Sequence, residues 1–155
     1  MNTALTDIKP RLVLDTNVIL DLLVFKDPSA EPIRLLLDAK LVDAVRTPAS
    51  MEELMDVIGR PAFKLSPEDQ EAIVQAWEAS SRLLESTAIE PAPFTCRDPD
   101  DQVFINMAYS LRPALLLSKD LRVLELQAIA KRYGVEITQD YERAQHFSTP
   151  STESL

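Results

Sequence analysis

The sequence predicts an α/β fold in which a central, mostly parallel sheet is covered by helices on both faces. Two observations predict this class. Short apolar runs alternate along the chain with longer segments of helical apolar spacing, and several of those segments open with a capping residue followed by proline. Strands that alternate with helices pair in parallel, and a parallel sheet buries both of its faces. The expected architecture is therefore a three-layer α/β/α sandwich.

The first half of the chain contributes two of the predicted strands. In order, the predicted elements are a buried strand at 11–15, helices at 17–25 and 30–40, a short strand at 43–46, a helix at 48–58 and a long helix from Pro67 to about Leu84. Thr47 and Ser66 occupy N-cap positions with proline next to them, and Gly59 is a typical C-cap. Trp77 falls on the apolar face of the long helix, where we expect a core residue rather than a ligand platform.

The second half supplies the remaining elements. These are a weak strand at 87–90, a helix from Asp98 to about Leu111, a strand at 114–118, a helix from Asp120 to about Tyr133, a last strand at 135–138 and one short helix. We predict an N-terminal extension at 1–10, one domain at 11–147 and a disordered, Ser/Thr-rich tail at 148–155. A chain of 155 residues is long enough for one domain with a sizeable core.

Composition narrows the function classes. The single cysteine, Cys96, excludes an internal disulfide and fits a reducing cytosol, where we expect it to be a small, partly buried apolar residue. Residues 1–10 lack the apolar region of a secretory signal, and no apolar run reaches membrane-spanning length, so we expect a cytoplasmic protein with no membrane partner. The sequence also lacks a glycine-rich phosphate loop, a nucleophile elbow and Cys/His zinc spacing.

Four acidic positions carry the functional signal. Asp15 ends the first strand and Asp120 follows the strand at 114–118, while Glu53 and Asp101 lie on intervening helices. Because ligands of parallel α/β sheets bind outside the carboxyl ends of the strands, these acids are predicted to converge on one crevice. A cluster of carboxylates is costly unless a cation neutralises it, and hard cations take oxygen ligands. The sequence therefore predicts a Mg²⁺ or Mn²⁺ site.

Each acid also has a simpler explanation. Asp98 has the position of a helix N-cap, Asp101 could favour the same helix dipole, and Glu53 could belong to a solvated helical face. Asp120 could cap its own helix. Asp15 is harder to explain by solubility, because it directly follows a buried strand. The net charge of −9 argues only weakly against nucleic acid, since bound cations would offset part of it and basic residues could still form a phosphate-facing patch.

In these motifs the sequence resembles the PIN domain family. Asp15-Thr16-Asn17 after a strand is similar to the opening motif of that family, and Glu53, Asp101 and Asp120 match its second, third and fourth acids. Ser118-Lys119-Asp120 resembles the signature that carries the fourth acid. The phrases Arg-Asp98-Pro-Asp-Asp101 and Arg60-Pro-Ala-Phe63 resemble a bacterial branch of toxin–antitoxin toxins related to VapC. The resemblance covers roughly residues 11–145.

The resemblance implies a metal-dependent endoribonuclease that cleaves single-stranded RNA by activated water and leaves a 5′-phosphate and a 3′-hydroxyl. It implies that Asp15, Glu53, Asp101 and Asp120 are catalytic and hold Mg²⁺ or Mn²⁺, with Asn17, Ser118 and Asp98 in supporting roles. A cognate antitoxin protein and a homodimer are implied partners.

Three alternatives stay open at this point. A non-catalytic PIN-fold module that binds RNA or protein would be built on the same fold. Asp98 and Asp100 lie beside Asp101, so the sequence leaves open which of these three acids ligates metal. Lys119 stands where relatives often carry a small residue, and its cation could either assist a phosphate or weaken metal binding.

Overall fold

The computed structural model describes residues 9–147. The predicted tail at 148–155 and all but residues 9 and 10 of the predicted N-terminal extension lie outside the described residues. The strands are β1 (Arg11–Leu14), β2 (Asp43–Arg46), β3 (Arg82–Leu83), β4 (Ala114–Leu117) and β5 (Val135–Thr138). The α-helices are α1 (Thr16–Leu23), α2 (Glu31–Asp38), α3 (Pro48–Ile58), α4 (Pro67–Ser80), α5 (Gln102–Ser110), α6 (Leu121–Leu124), α7 (Gln127–Arg132) and α8 (Arg143–His146).

The strands form one sheet in the order β3-β2-β1-β4-β5, and every pairing in the described chain is parallel. The chain builds outward from β1 to β2 and β3, and then returns to the other side of β1 to add β4 and β5. The strand order therefore reverses between β1 and β4. In open α/β sheets, this reversal opens a crevice at the carboxyl ends of the two strands.

Apolar side chains alternate between the two faces of the sheet and make a core on each. Leu12 and Leu14 pack with α1 to α4 and α8, whereas Val13 packs with α5 to α7. The β4 side chains alternate in the same way, with Leu115 and Leu117 on the first face. Helices thus cover both faces, and the predicted three-layer α/β/α sandwich is confirmed. Trp77 is 1% exposed in the first core, as expected of a core residue.

The long helix that was predicted to reach Leu84 ends at Ser80, and a strand follows it. The prediction was wrong because distant residues hold this segment at the sheet edge. Arg82 forms a bidentate salt bridge with Asp43 on β2, at 3.0 and 2.9 Å, and Leu84 N–H donates to the Arg46 carbonyl at 2.8 Å. The predicted strand at 87–90 is wrong for the same reason, since the edge position is already filled by β3 and Ser86–Ala88 forms a 3₁₀ turn.

The helix predicted from Asp120 to Tyr133 is also interrupted, because Glu125 and Leu126 separate α6 from α7. Neither glycine nor proline marks this break in the sequence. The Arg97 guanidinium pairs with Glu125 at the break, at 2.6 and 3.0 Å, and so ties it to the segment that precedes α5. Within residues 9–147, none of the helices has the length and apolarity needed to cross a membrane.

Candidate metal centre

Strand register brings Asp15 next to Ser118. Leu14 of β1 is paired with Leu117 of β4, so the residues that follow them emerge side by side at the carboxyl edge. The Ser118 hydroxyl, which is fully buried, donates to Asp15 Oδ2 at 2.6 Å and accepts the Asp120 backbone N–H at 3.1 Å. Ser118 therefore fixes the Asp15 carboxylate after β1 and also the turn after β4 that carries Asp120.

Three further carboxylates converge on the same crevice. Asp98, Asp101 and Asp120 each offer an oxygen, and these oxygens lie within 4.8 Å of one another. Asp15 is close enough for its charge to raise the pKa of Asp101. We call Asp15, Asp98, Asp101 and Asp120 the acidic cluster. It lies where the strand order reverses, and it contains three of the four acids that were expected to converge, together with Asp98.

Within the acidic cluster, ionisation is strongly disfavoured at Asp101. Its Oδ2 atom is buried and has no hydrogen-bond partner among residues 9–147. Burial, followed by the charge of Asp15 and contact with Asp120, raises the pKa of the Asp101 carboxyl to about 8. A buried carboxylate oxygen without a partner, on a residue whose carboxylate lies among others, is the feature expected where a cation completes the site.

Backbone N–H groups offset part of this charge. Three members of the acidic cluster cap a helix, and each accepts a backbone N–H from two residues further on: Asp15 from Asn17 at 3.4 Å, Asp98 from Asp100 at 3.0 Å and Asp120 from Arg122 at 2.8 Å. Helix N-termini favour negative charge. Asp98 thus combines the capping role that its position predicted with a place in the acidic cluster.

Burial has the largest influence on Asp15 itself. The side chain is 2% exposed, and burial raises the pKa of its carboxyl, while the hydrogen bond from Ser118 lowers it. The Ser118 hydroxyl therefore favours the ionised form that a metal ligand needs. Asn17 is exposed, and its contribution to Asp15 comes from its backbone N–H.

Glu53 approaches the crevice from α3 but stands apart from the three acids whose oxygens meet. It is half-buried, and burial, then the charge of Asp100, raises the pKa of its carboxyl, with a smaller contribution from Asp15. Asp100 is exposed on the side of Glu53, whereas Asp101 points its buried oxygen inward. This geometry favours Asp101 over Asp100 as a ligand.

Lys119 lies outside the acidic cluster, although it sits between Ser118 and Asp120. Its ammonium pairs with Asp21 Oδ2 of α1 at 2.5 Å, and the same oxygen accepts the Tyr141 hydroxyl at 2.6 Å. We call Asp21, Lys119 and Tyr141 the Asp21 network. Sequence reasoning missed this set. Asp21, an acid inside an apolar helix, was the available signal, but nothing local identified its two partners.

The oxygen-only donors of the acidic cluster fit a hard divalent cation. Mg²⁺ and Mn²⁺ prefer carboxylate and water oxygens, whereas zinc sites are built largely from cysteine and histidine. The fit rests on the partnerless Asp101 oxygen and on three carboxylates that meet within 4.8 Å. Fold and site together define a parallel α/β protein with a carboxylate centre at the reversal of its strand order.

Comparison with known proteins gives this class a family. A family model described as "PIN domain" matches residues 11–122, well over half of the chain, and the chain therefore belongs to the PIN domain family. No curated protein matches the sequence significantly.

Among solved structures, the fold is similar to a chain in the crystal structure of VapBC2 from Rickettsia felis bound to a DNA fragment from their promoter. The TM-score is 0.56 at 13% sequence identity, and the alignment covers 83% of this chain and 97% of that chain. At this identity the likeness establishes a shared fold.

Proposed function

We propose that this PIN domain is a metal-dependent endoribonuclease that cleaves single-stranded RNA. The observation that carries the proposal is the acidic cluster, in which Asp101 has a buried oxygen without a partner and lies within reach of the charges of Asp15 and Asp120. Helix capping accounts for single acids, and the approach of three carboxylate oxygens to within 4.8 Å adds a repulsion that capping does not require. Their mutual repulsion is a cost that a bound cation removes.

Asp15, Asp101 and Asp120 would hold Mg²⁺ or Mn²⁺, with Glu53 completing the site from α3. When bound, the cation would activate water and neutralise charge that develops on the scissile phosphate. Ser118 favours the ionised form of Asp15 and orients its carboxylate, because the Ser118 hydroxyl donates to Asp15 Oδ2. Outer groups that orient ligands in this way commonly change metal affinity or activity by about 10–100-fold.

We further propose that the protein is the toxin of a type II toxin–antitoxin system. Support comes from the PIN family match and from the fold likeness to a VapBC2 structure, together with the sequence phrases around Asp98 and Arg60. A cognate antitoxin protein, a homodimer and a cytoplasmic location belong to this proposal. An RNA substrate is compatible with the net charge of −9 because divalent cations would reduce the local negative potential.

Cleavage of a labelled single-stranded RNA tests the enzymatic proposal. We expect cleavage by the purified protein in Mg²⁺ or Mn²⁺, loss of cleavage on chelation, and its return when the metal is restored. Asp120→Asn, prepared in parallel, is the control for a contaminating ribonuclease and should be inactive. Cleavage that persists in excess chelator, or equally in the variant, would contradict the proposal. Metal binding without any cleavage would favour a non-catalytic binding module.

A further inference from the structure

Lys119 is a cation that lies in the chain directly beside residues of the acidic cluster. Of its neighbours in the chain, Asp120 belongs to the acidic cluster, and Ser118 is hydrogen-bonded to both Asp15 and Asp120 of that cluster. The Lys119 side chain is 45% exposed and ends in a strongly hydrated point charge on a flexible stem. Such a group would be free to move towards the strongest negative potential near it, unless something holds it.

Asp21 holds it. This carboxylate lies on α1 with its side chain 7% exposed, and its Oδ2 receives both the Lys119 ammonium and the Tyr141 hydroxyl. A buried carboxylate is costly unless it is paired, so Asp21 is explained as a partner and not as a surface charge. The side chain of Tyr141 is itself buried, and it orients the carboxylate from the opposite end of the chain.

The alternation of side chains makes this separation possible. Ser118 and Asp120 point to the crevice, and Lys119, between them, points to α1. Removing the Asp21 charge would leave an ammonium beside a crevice whose carboxylates repel one another. An unpaired cation at that place would neutralise the carboxylates and compete with a divalent cation for them.

We propose that Asp21 is a positioning residue that keeps the Lys119 ammonium out of the acidic cluster and so keeps the cluster available to a divalent cation. The inference rests on the proposed metal-dependent function. It gives Lys119 a defined role: a cation held by Asp21 of α1, and not a phosphate-binding group.

Calorimetric titration with Mn²⁺ alone tests the proposal without any RNA. Asp21→Asn keeps the shape and can still accept the Tyr141 hydroxyl, but it leaves the ammonium without a charged partner. We expect its Mn²⁺ dissociation constant to rise about tenfold. The double variant Asp21→Asn/Lys119→Met should return to within about twofold of the original protein, because the competing cation is gone.

Two matched controls separate this effect from others. Asp27→Asn removes a charge that also lies near Lys119, and asparagine caps the following turn as well as aspartate does, so the Mn²⁺ affinity should be unchanged. Tyr141→Phe removes the second bond to Asp21 and leaves Lys119 neutralised, so it should also bind normally. Equal weakening by Asp27→Asn would show a general field effect and overturn the proposal.

The remaining outcomes are also decisive. Unchanged binding in Asp21→Asn, or a double variant as weak as the single one, would overturn the positioning role. Lys119→Met alone does not depend on the folding of the other variants, and it should bind Mn²⁺ at least as tightly as the original protein. Weaker binding by Lys119→Met would overturn the proposal. Failure of the unsubstituted protein to bind Mn²⁺ would instead contradict the proposed function.

Discussion

Asp21 and Asp101 are two carboxylates that the same fold withdraws from water, and their surroundings are opposite. Both oxygens of interest are buried, but Asp21 Oδ2 receives an ammonium and a hydroxyl, while Asp101 Oδ2 has no partner within the described chain and faces other acids. The charge of Asp21 is neutralised, and its bonds link α1 to Lys119 and Tyr141. The charge of Asp101 is not neutralised, and it is repelled by the neighbouring carboxylates. The comparison shows that burial of an acid alone does not indicate a site, and that the missing partner does.

The largest expected effect is on cleavage. Asp101→Asn should reduce the rate at least about a hundredfold, because it removes a proposed metal ligand, and even the residues that orient ligands change activity by about 10–100-fold. Asp100→Asn, one residue away and exposed, is the matched control and should retain most of the activity. Single-turnover cleavage of one RNA by both variants checks this. An essential Asp100 beside a dispensable Asp101 would reverse the assignment of the ligand.

The next largest effect is on stability and concerns the Asp21 network. Asp21→Ala should lower the free energy of unfolding by about 2 kcal/mol, because it leaves the Tyr141 hydroxyl buried without its partner and breaks an ion pair that is half-exposed on the lysine side. Glu31→Ala breaks the exposed Arg34–Glu31 pair and should leave the free energy of unfolding almost unchanged. Urea denaturation of both variants measures the difference, and equal losses would contradict it.

Removal of the negative charge of Asp101 should stabilise the fold, whereas removal of the Asp21 charge destabilises it. In the metal-free protein the pKa of Asp101 is about 8, above its ordinary value of 3.8, so between these values the folded state binds a proton that the unfolded chain lacks. Stability from this group is present at low pH and is lost as pH rises through about 8.

Thermal unfolding of the metal-free protein checks this sign. Its midpoint should rise when the pH is lowered from about 8.5 to about 5.5, and Asp101→Asn should raise the midpoint at the higher pH and flatten the dependence. Under the proposed function, saturating Mn²⁺ should also raise the midpoint, because a ligand that binds only the folded state stabilises it. A midpoint that falls on acidification over this interval, or an Asp101→Asn variant less stable than the original at the higher pH, would contradict the stored repulsion.

The smallest effect distinguishes the two roles of Asp98. Asp98→Ser preserves the cap and should keep stability, whereas Asp98→Ala should cost about 1 kcal/mol. If Asp98 serves only as a cap that lends negative potential to the crevice, both variants should keep their cleavage rate. Thermal melts and cleavage rates of the pair provide the measurement. A large loss of activity in the stable serine variant would add Asp98 to the catalytic set.

Sequence reasoning reached the acidic cluster more easily than the Asp21 network, and the reason is physical. Asp15 and Asp120 directly follow apolar strands, and parallel strands present their carboxyl ends at one edge, so local pattern was sufficient. Asp21 depends on partners 98 and 120 residues away in the chain. No local periodicity encodes such a pairing.

The same limit explains the errors in the fold. Two arginines at the sheet edge determine where α4 ends. Arg82 pairs with Asp43, and Arg46 donates to the Ser81 carbonyl and hydroxyl. Helical spacing continued past this point in the sequence and favoured a longer helix. The caps at Thr47 and Ser66, by contrast, were predictable because their hydrogen bonds close within three residues.

The register of β1 against β4 also sets when activity can first arise during synthesis. Ser118 and Asp15, which share a hydrogen bond, are 103 residues apart, and at about 5–20 residues per second a ribosome needs roughly 5–20 seconds to cover that distance. Until then the nascent chain carries Asp15 without the strand that completes its crevice. Under the proposed function, any messenger truncated ahead of the codon for Asp120 encodes an inert fragment. Under that same proposal, each round of translation includes an interval during which the emerging chain is inactive.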